Sequence, residues 1–212
     1  MARTHLSDYQ RSNRVRELPL HDPRPVREAA RRLLRTRDAA GRRLSGAEVL
    51  ACLARQAGVT TPELVVPDEH QPHRRRGGRI VFSLQGEYHR RKPSPGDPRI
   101  ARGGKPLGRI RVLNRTPARG DIVRPSAFLH TLLHEFCHHH DAEALGLRRS
   151  FHTSGFYARL RHLREQVGGI DAGPDRGAGG RGRGRTGGGA AGGAEEGPGG
   201  LTARLWAIIR NL

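Results

Sequence analysis

The apolar positions of this chain gather into a few short periodic stretches separated by long polar ones. Between Val26 and Arg37, Ala30, Leu33 and Leu34 share one face of a predicted helix, with arginines around the rest. Gly41 interrupts. Ser45-Gly-Ala-Glu48 then reads as a capping box opening a helix through Val49, Leu50, Leu53 and Ala54, ended by Gly58. A short strand is expected at Leu64 to Val66 and a longer one at Arg79 to Leu84. Glu87 to Gly104, rich in proline and glycine towards its end, reads as a long loop. Arg109 to Leu113 alternates polar and apolar residues, the period of a half-buried antiparallel strand.

Further on, Phe128, Leu129, Leu132, Leu133 and Phe136 form the apolar side of a helix, with Ser126 as its predicted cap and Gly146 as its stop. Phe156, Leu160, Leu163 and Val167 predict a second helix, capped by Thr153 or Ser154. The fold class implied is α+β: a short antiparallel or mixed sheet packed against the Phe128 helix and flanking helices, over residues 25–167. Residues 1–24 are polar and broken by Pro19 and Pro23, which predicts a loose basic N-terminal arm. Residues 168–200 are dominated by glycine with interspersed arginine and cannot bury enough apolar surface to fold alone, so they read as a disordered linker. Residues 201–212 carry Leu201, Leu205, Ile208, Ile209 and Leu212 at helical spacing, beside Trp206, and predict a short amphipathic helix.

The polar side of the Phe128 helix carries chemistry. His134-Glu135-x-x-His138 has the H-E-x-x-H pattern. Residues four apart on a helix lie on one face, so His134 and His138 can point at one metal ion. Zinc suits imidazole nitrogen and imposes no geometry of its own. Glu135 sits where a general base is needed, beside the first histidine without being a ligand. A catalytic zinc site has three protein ligands and one open position. His152 follows a helix end and a turn and precedes the next helix, which would bring it back to the first pair. His130, on the same face as His134 and His138, competes for that place, and Glu143 and Glu165 are more remote alternatives. His138-His139-His140 could alternatively form a solvated basic face, with His130 or His140 as the real ligand; Cys137 reads as a small buried residue. Asp141 reads as a surface carboxylate that could alternatively orient a ligand imidazole.

These residues together resemble the SprT-like family of zinc metalloproteases. There an H-E-x-x-H helix is followed, after a loop, by a third histidine with a phenylalanine four residues on. Here the matching residues are His134, Glu135, His138, His152 and Phe156, with Thr153-Ser154 where the family more often has Gly-Pro. The resemblance covers roughly Arg79 to Val167. It implies a small zincin fold and a peptidase site with Zn²⁺ held by His134, His138 and His152, Glu135 as catalytic base, and protein or peptide substrates. For some members of the family these are DNA-associated proteins. It also implies that an edge strand, here Arg109 to Leu113, binds the substrate backbone by strand addition. Tyr157 is the nearest candidate for an oxyanion-stabilising group, against a plain packing role.

Composition adds one partner and excludes others. The net charge is +19, which favours DNA or RNA, contacted through the arginine-rich surface and the Gly/Arg tail. The only lysines are Lys92 and Lys105, so the arginine excess is equally what a GC-rich coding bias produces. Arg74-Arg75-Arg76 reads as a solvated charge run. No apolar run is long enough for a membrane span, and Cys52 and Cys137 sit in separate helical patterns, which places the protein in a reducing, cytoplasmic compartment. Two rivals to the peptidase remain at this level: a nucleic-acid-binding protein whose zinc site is structural, and a regulatory protease that cuts one dedicated partner.

Overall fold

The computed structural model describes residues 6–90, 108–147 and 149–168. The glycine-rich segment beyond Gly168, the amphipathic stretch at 201–212 and most of the expected loop up to Gly104 lie outside them. The described elements are α1 (Asp8–Arg14), α2 (Arg24–Leu34), α3 (Ala39–Ala57), β1 (Glu63–Val65), β2 (His73–Arg76), β3 (Arg79–Ser83), β4 (Gly86–Arg90), β5 (Gly108–Val112), α4 (Pro125–Glu143) and α5 (Ser154–Val167). They form the expected small α+β unit. Among the described residues no helix is long and apolar enough to cross a membrane.

A mixed sheet runs in the order β1-β5-β4, with β5 parallel to β1 and antiparallel to β4. The expected strand at Arg109 to Leu113 is therefore central and cannot receive a substrate backbone at its edge. Its alternation survives because Ile110 and Val112 turn into the core while Arg109 and Arg111 point away. β4 occupies residues expected to be loop; its sequence, Gly-Glu-Tyr-His-Arg, offers only Tyr88 to an apolar pattern. β2 and β3 form a separate antiparallel ribbon.

The helices close the core from one side. α4 packs on β4 and β5, and α3 on β1. Gly46 lets α3 approach the sheet, since a Cβ there would lie 2.6 Å from Leu64 Cδ2. Two predicted helix starts are corrected. Asp38, not Ser45, caps α3, its carboxylate accepting the Gly41 amide at 2.7 Å, and Gly41 lies inside the first turn. Ser45 is interior to that helix and bonds back to Gly41 O at 2.8 Å, so no capping box forms there. Pro125 occupies the first turn of α4, which moves the cap from Ser126 to Arg124.

The expected loose N-terminal arm is folded over the stretch from Asp8 onward. A capping box between Ser7 and Gln10 opens α1. Leu18 and Leu20 enter the core, and their amides are accepted by His162 Nδ1 (3.1 Å) and Gln166 Oε1 (2.8 Å) of α5. The contact is backbone against polar side chain, which a hydropathy pattern does not register.

Candidate metal centre

α4 is buried along most of its length, and this is what makes its polar face unusual. Phe128, Leu129, Leu132, Leu133, Phe136 and Cys137 are fully buried on the core side, as their spacing predicts. The polar side is buried as well. His138, His139, His140 and Asp141 are all covered, so the alternative of a solvated basic face does not hold. His139 donates from Nε2 to Thr60 O at 2.6 Å, leaving Nδ1 to face the Tyr88 hydroxyl at 3.3 Å.

His134 and His138 lie one turn apart on α4, and the segment after Gly146 (φ +60°) returns His152 to them. The three Nε2 atoms form a triangle with sides of 2.9 Å (134–152), 3.1 Å (138–152) and 3.2 Å (134–138). These three residues could hold a metal ion; among the described residues no other such group occurs. His130, Glu143 and Glu165 stand outside it; Glu143 instead accepts from the Thr60 hydroxyl at 3.1 Å. The Phe156 ring closes the site from behind, with its centroid 4.5 to 5.1 Å from all three imidazoles. Thr153, as predicted, caps α5 by accepting the Phe156 amide, which fixes the turn that carries His152.

The donor set fits a cation. Nitrogens bound at 2.0–2.1 Å around a tetrahedral ion stand about 3.3 Å apart, close to the triangle observed. Burial is the main force holding the imidazoles neutral. It lowers His134 to about 3, helped by His152 and Arg164. It lowers His138 well below its ordinary value, with His134 and His152 adding to the effect, and lowers His152 too. Neutral imidazole is the form that ligates. Three lone pairs converging at this distance repel one another unless positive charge lies between them.

The tautomer of His138 follows from its partner. Ser150 Oγ stands 2.7 Å from His138 Nδ1 and 2.7 Å from Asp141 Oδ2. A carboxylate only accepts, so the single hydroxyl proton goes to Asp141. Ser150 must then accept from His138 Nδ1–H, and Nε2 carries the lone pair. Asp141 is itself anchored. Arg159 Nη2 lies 2.9 Å from both carboxylate oxygens, and neither side chain has exposed surface. Burial pushes the Asp141 pKa up, and Arg159 and Ser150 oppose it. Arg159 also donates to the Ser12 carbonyl (2.7 Å), the Val15 carbonyl and the Ser12 hydroxyl (3.0 Å). The chain Ser12–Arg159–Asp141–Ser150–His138 thus ties the N-terminal segment to one of the three converging rings.

Glu135 is buried against the start of β4. A Cβ on Gly86 would lie 3.2 Å from Glu135 Cγ and 2.6 Å from the Thr131 methyl, so only glycine lets the strand come this close. Burial, aided by the charge of Glu87, raises the Glu135 carboxyl to about 8. Tyr157 is half exposed and stacks on His152, with centroids 5.9 Å apart and planes 26° apart. Ser150 and Arg159 are the site residues that the sequence did not reveal. Arg159 had a signal: it falls on the apolar stripe of Phe156, Leu160 and Leu163, where a charge needs a buried partner.

No protein-family model matches this chain, and neither a curated protein nor a solved structure does.

Proposed function

We propose that the chain is a zinc-dependent metallopeptidase of SprT-like, zincin type. The carrying observation is the convergence of His134, His138 and His152, with the buried Glu135 next to His134 in the helix. Three neutral nitrogens leave one position open for water or substrate, as a catalytic rather than a closed structural site requires. A zinc ion held there supplies a Lewis acid for the scissile carbonyl and lowers the pKa of water at the open position. The chain's own residues do the rest. Ser150 and Asp141 keep the His138 lone pair aimed at the site. Glu135 takes a proton from the attacking water and delivers it to the leaving amine. It must be ionised to do so, and positive charge held among the three imidazoles favours the carboxylate against the upward pull of burial.

The substrates proposed are unfolded or exposed protein segments, including proteins bound on nucleic acid. The experiment is cleavage of casein by the zinc-loaded full chain, with and without DNA, for the native chain and Glu135→Gln. The variant should retain about one zinc per chain and cleave nothing. Equal cleavage by the variant would remove Glu135 from the mechanism. A native chain that keeps zinc but cuts nothing would leave a structural site, and cleavage confined to one partner protein would mark a dedicated regulatory protease.

A further inference from the structure

The ribbon formed by β2 and β3 contributes nothing to the metal centre, yet its charge is highly organised. Its sequence from His73 to Ser83 is H-R-R-R-G-G-R-I-V-F-S. Gly77 and Gly78 both have positive φ (55° and 75°), the backbone of a tight two-residue hairpin turn, and each has open space where a Cβ would stand. The turn places Arg76 directly across from Arg79, with Arg75 across from Ile80 and Arg74 across from Phe82. Arg74, Arg75, Arg76 and Arg79 are all exposed.

Like charges facing each other across a strand pair are destabilising, and among the described residues no acid pairs with them. The sequence holds no aspartate or glutamate between Glu69 and Glu87. Three arginines of the main sheet and its flank behave otherwise: Arg109 pairs with Glu63, Arg111 with Glu69 and Glu87, and Arg115 with Asp68. A coding bias accounts for many arginines, but not for a ribbon that concentrates four of them with no acid of its own while Arg109, Arg111 and Arg115 are paired.

We propose that the β2–β3 ribbon is a nucleic-acid-binding element that lays its four arginines on the phosphate backbone of a duplex. The chemistry matches: guanidinium groups bind phosphate oxygens in a bidentate fashion, and each contact releases counterions. The shape matches too, since a two-stranded β-ribbon fits the major groove of B-DNA. These arginines are assigned to phosphate oxygens and not to base edges, so binding is sequence-tolerant. The ribbon leads directly into a strand that packs on the helix carrying His134 and His138. β3 runs through Leu84 and Gln85 into β4, Gln85 accepts from the Thr131 hydroxyl of α4 at 3.3 Å, and Gly86 lies against Glu135. Arg79 stands only seven residues before Gly86, so the chain keeps it within about 25 Å of that glycine.

The inference does not depend on the peptidase reading, and Glu135→Gln should bind nucleic acid as the native chain does. The test is fluorescence anisotropy of the full chain against a short mixed-sequence DNA duplex, over a series of salt concentrations. Replacing Arg74, Arg75, Arg76 and Arg79 together by glutamine should weaken binding at least about 10-fold and reduce the salt slope by up to about 3.6 units. Replacing four exposed arginines elsewhere, Arg31, Arg35, Arg37 and Arg43, should cost under about 3-fold, because they lie off the proposed interface. Unchanged zinc content in both variants shows that the fold is retained, and four lysines at the ribbon positions should restore most of the affinity. Equal losses in the two glutamine variants would mean diffuse attraction and overturn the proposal. So would a native chain that ignores the duplex, or ribbon-dependent binding to phosphatidylserine vesicles that exceeds binding to the duplex. The same duplex as RNA distinguishes the two nucleic acids within the proposal.

Discussion

The Ser150 hydroxyl accepts the Nδ1–H of His138 across 2.7 Å, and this bond decides which ring nitrogen of His138 is free. Asp141 enforces the direction by taking the serine's only proton. Ser150→Ala removes the acceptor, leaves the ring free to turn and leaves Asp141 short of one donor. Zinc affinity, measured by competition with a chromogenic chelator, should fall about 10- to 100-fold. Ser150→Thr, which keeps the hydroxyl, should lose much less. Equal affinity for the alanine variant and the native chain would show that the tautomer is held by something else.

Arg159 and Asp141 form an ion pair with no exposed surface on either side. Removing one charge strands the other in the core. Arg159→Leu should therefore destabilise the metal-free chain by about 3–5 kcal/mol in urea unfolding. Replacing both residues by leucine should recover a large part of that loss, since the desolvation cost disappears with the charges. If the double variant were no more stable than the single, the pair would be contributing more than it costs to bury.

Gly155 is a point of close approach between α1 and α5: a Cβ there would lie 2.1 Å from Ser12 O and 2.8 Å from Asn13 Cα. Both of these atoms are backbone, which cannot swing aside as a side chain can. Gly155→Ala should therefore lift α1 from α5, at a cost of about 1–3 kcal/mol. It should also expose the chain around Arg14 to trypsin. The loss extends to Asn13, whose Oδ1 accepts from Ser154 Oγ at 2.9 Å and from the Gly155 amide at 3.1 Å. An unchanged digestion pattern would mean that α1 accommodates the methyl group by sliding.

These relationships mark where the sequence was legible and where it was not. The triad of His134, His138 and His152 could be read because helical periodicity and one reversal are local facts, and a glycine with left-handed backbone marks the reversal at Gly146. The apolar faces of α4 and α5 were legible for the same reason. β4 was missed because a strand made of Glu, His and Arg around one tyrosine is specified by its neighbour β5 and not by its own pattern. α1 and the segment after it were missed because they are held by polar partners on α5, more than a hundred residues later in the chain. Asp141 was misread as a surface carboxylate for want of knowing that Arg159 would come to meet it.

The last prediction concerns pH and the metal-free chain, where buried groups of opposite kinds meet in one helix. His134 and His140 are lowered by burial to about 3 and about 4, and His138 and His152 are lowered too. Their unfolded counterparts titrate near 6.5. Below that value the unfolded chain binds protons that the folded chain refuses, so the stability these imidazoles leave intact above 6.5 is lost progressively on acidification. Glu135 has the opposite sign. Its folded pKa is raised to about 8 from an ordinary 4.5, so the folded chain holds a proton that the unfolded one has released. The stability this represents is fully present below 4.5 and is lost as pH rises towards and through 8. The two slopes oppose each other, and the urea midpoint of the metal-free chain should form a maximum near neutrality and fall on both sides. Glu135→Gln should flatten the alkaline limb and leave the acid limb in place, while His140→Phe should reduce the acid limb alone. An alkaline limb that persisted in Glu135→Gln would assign it to a group other than this carboxyl.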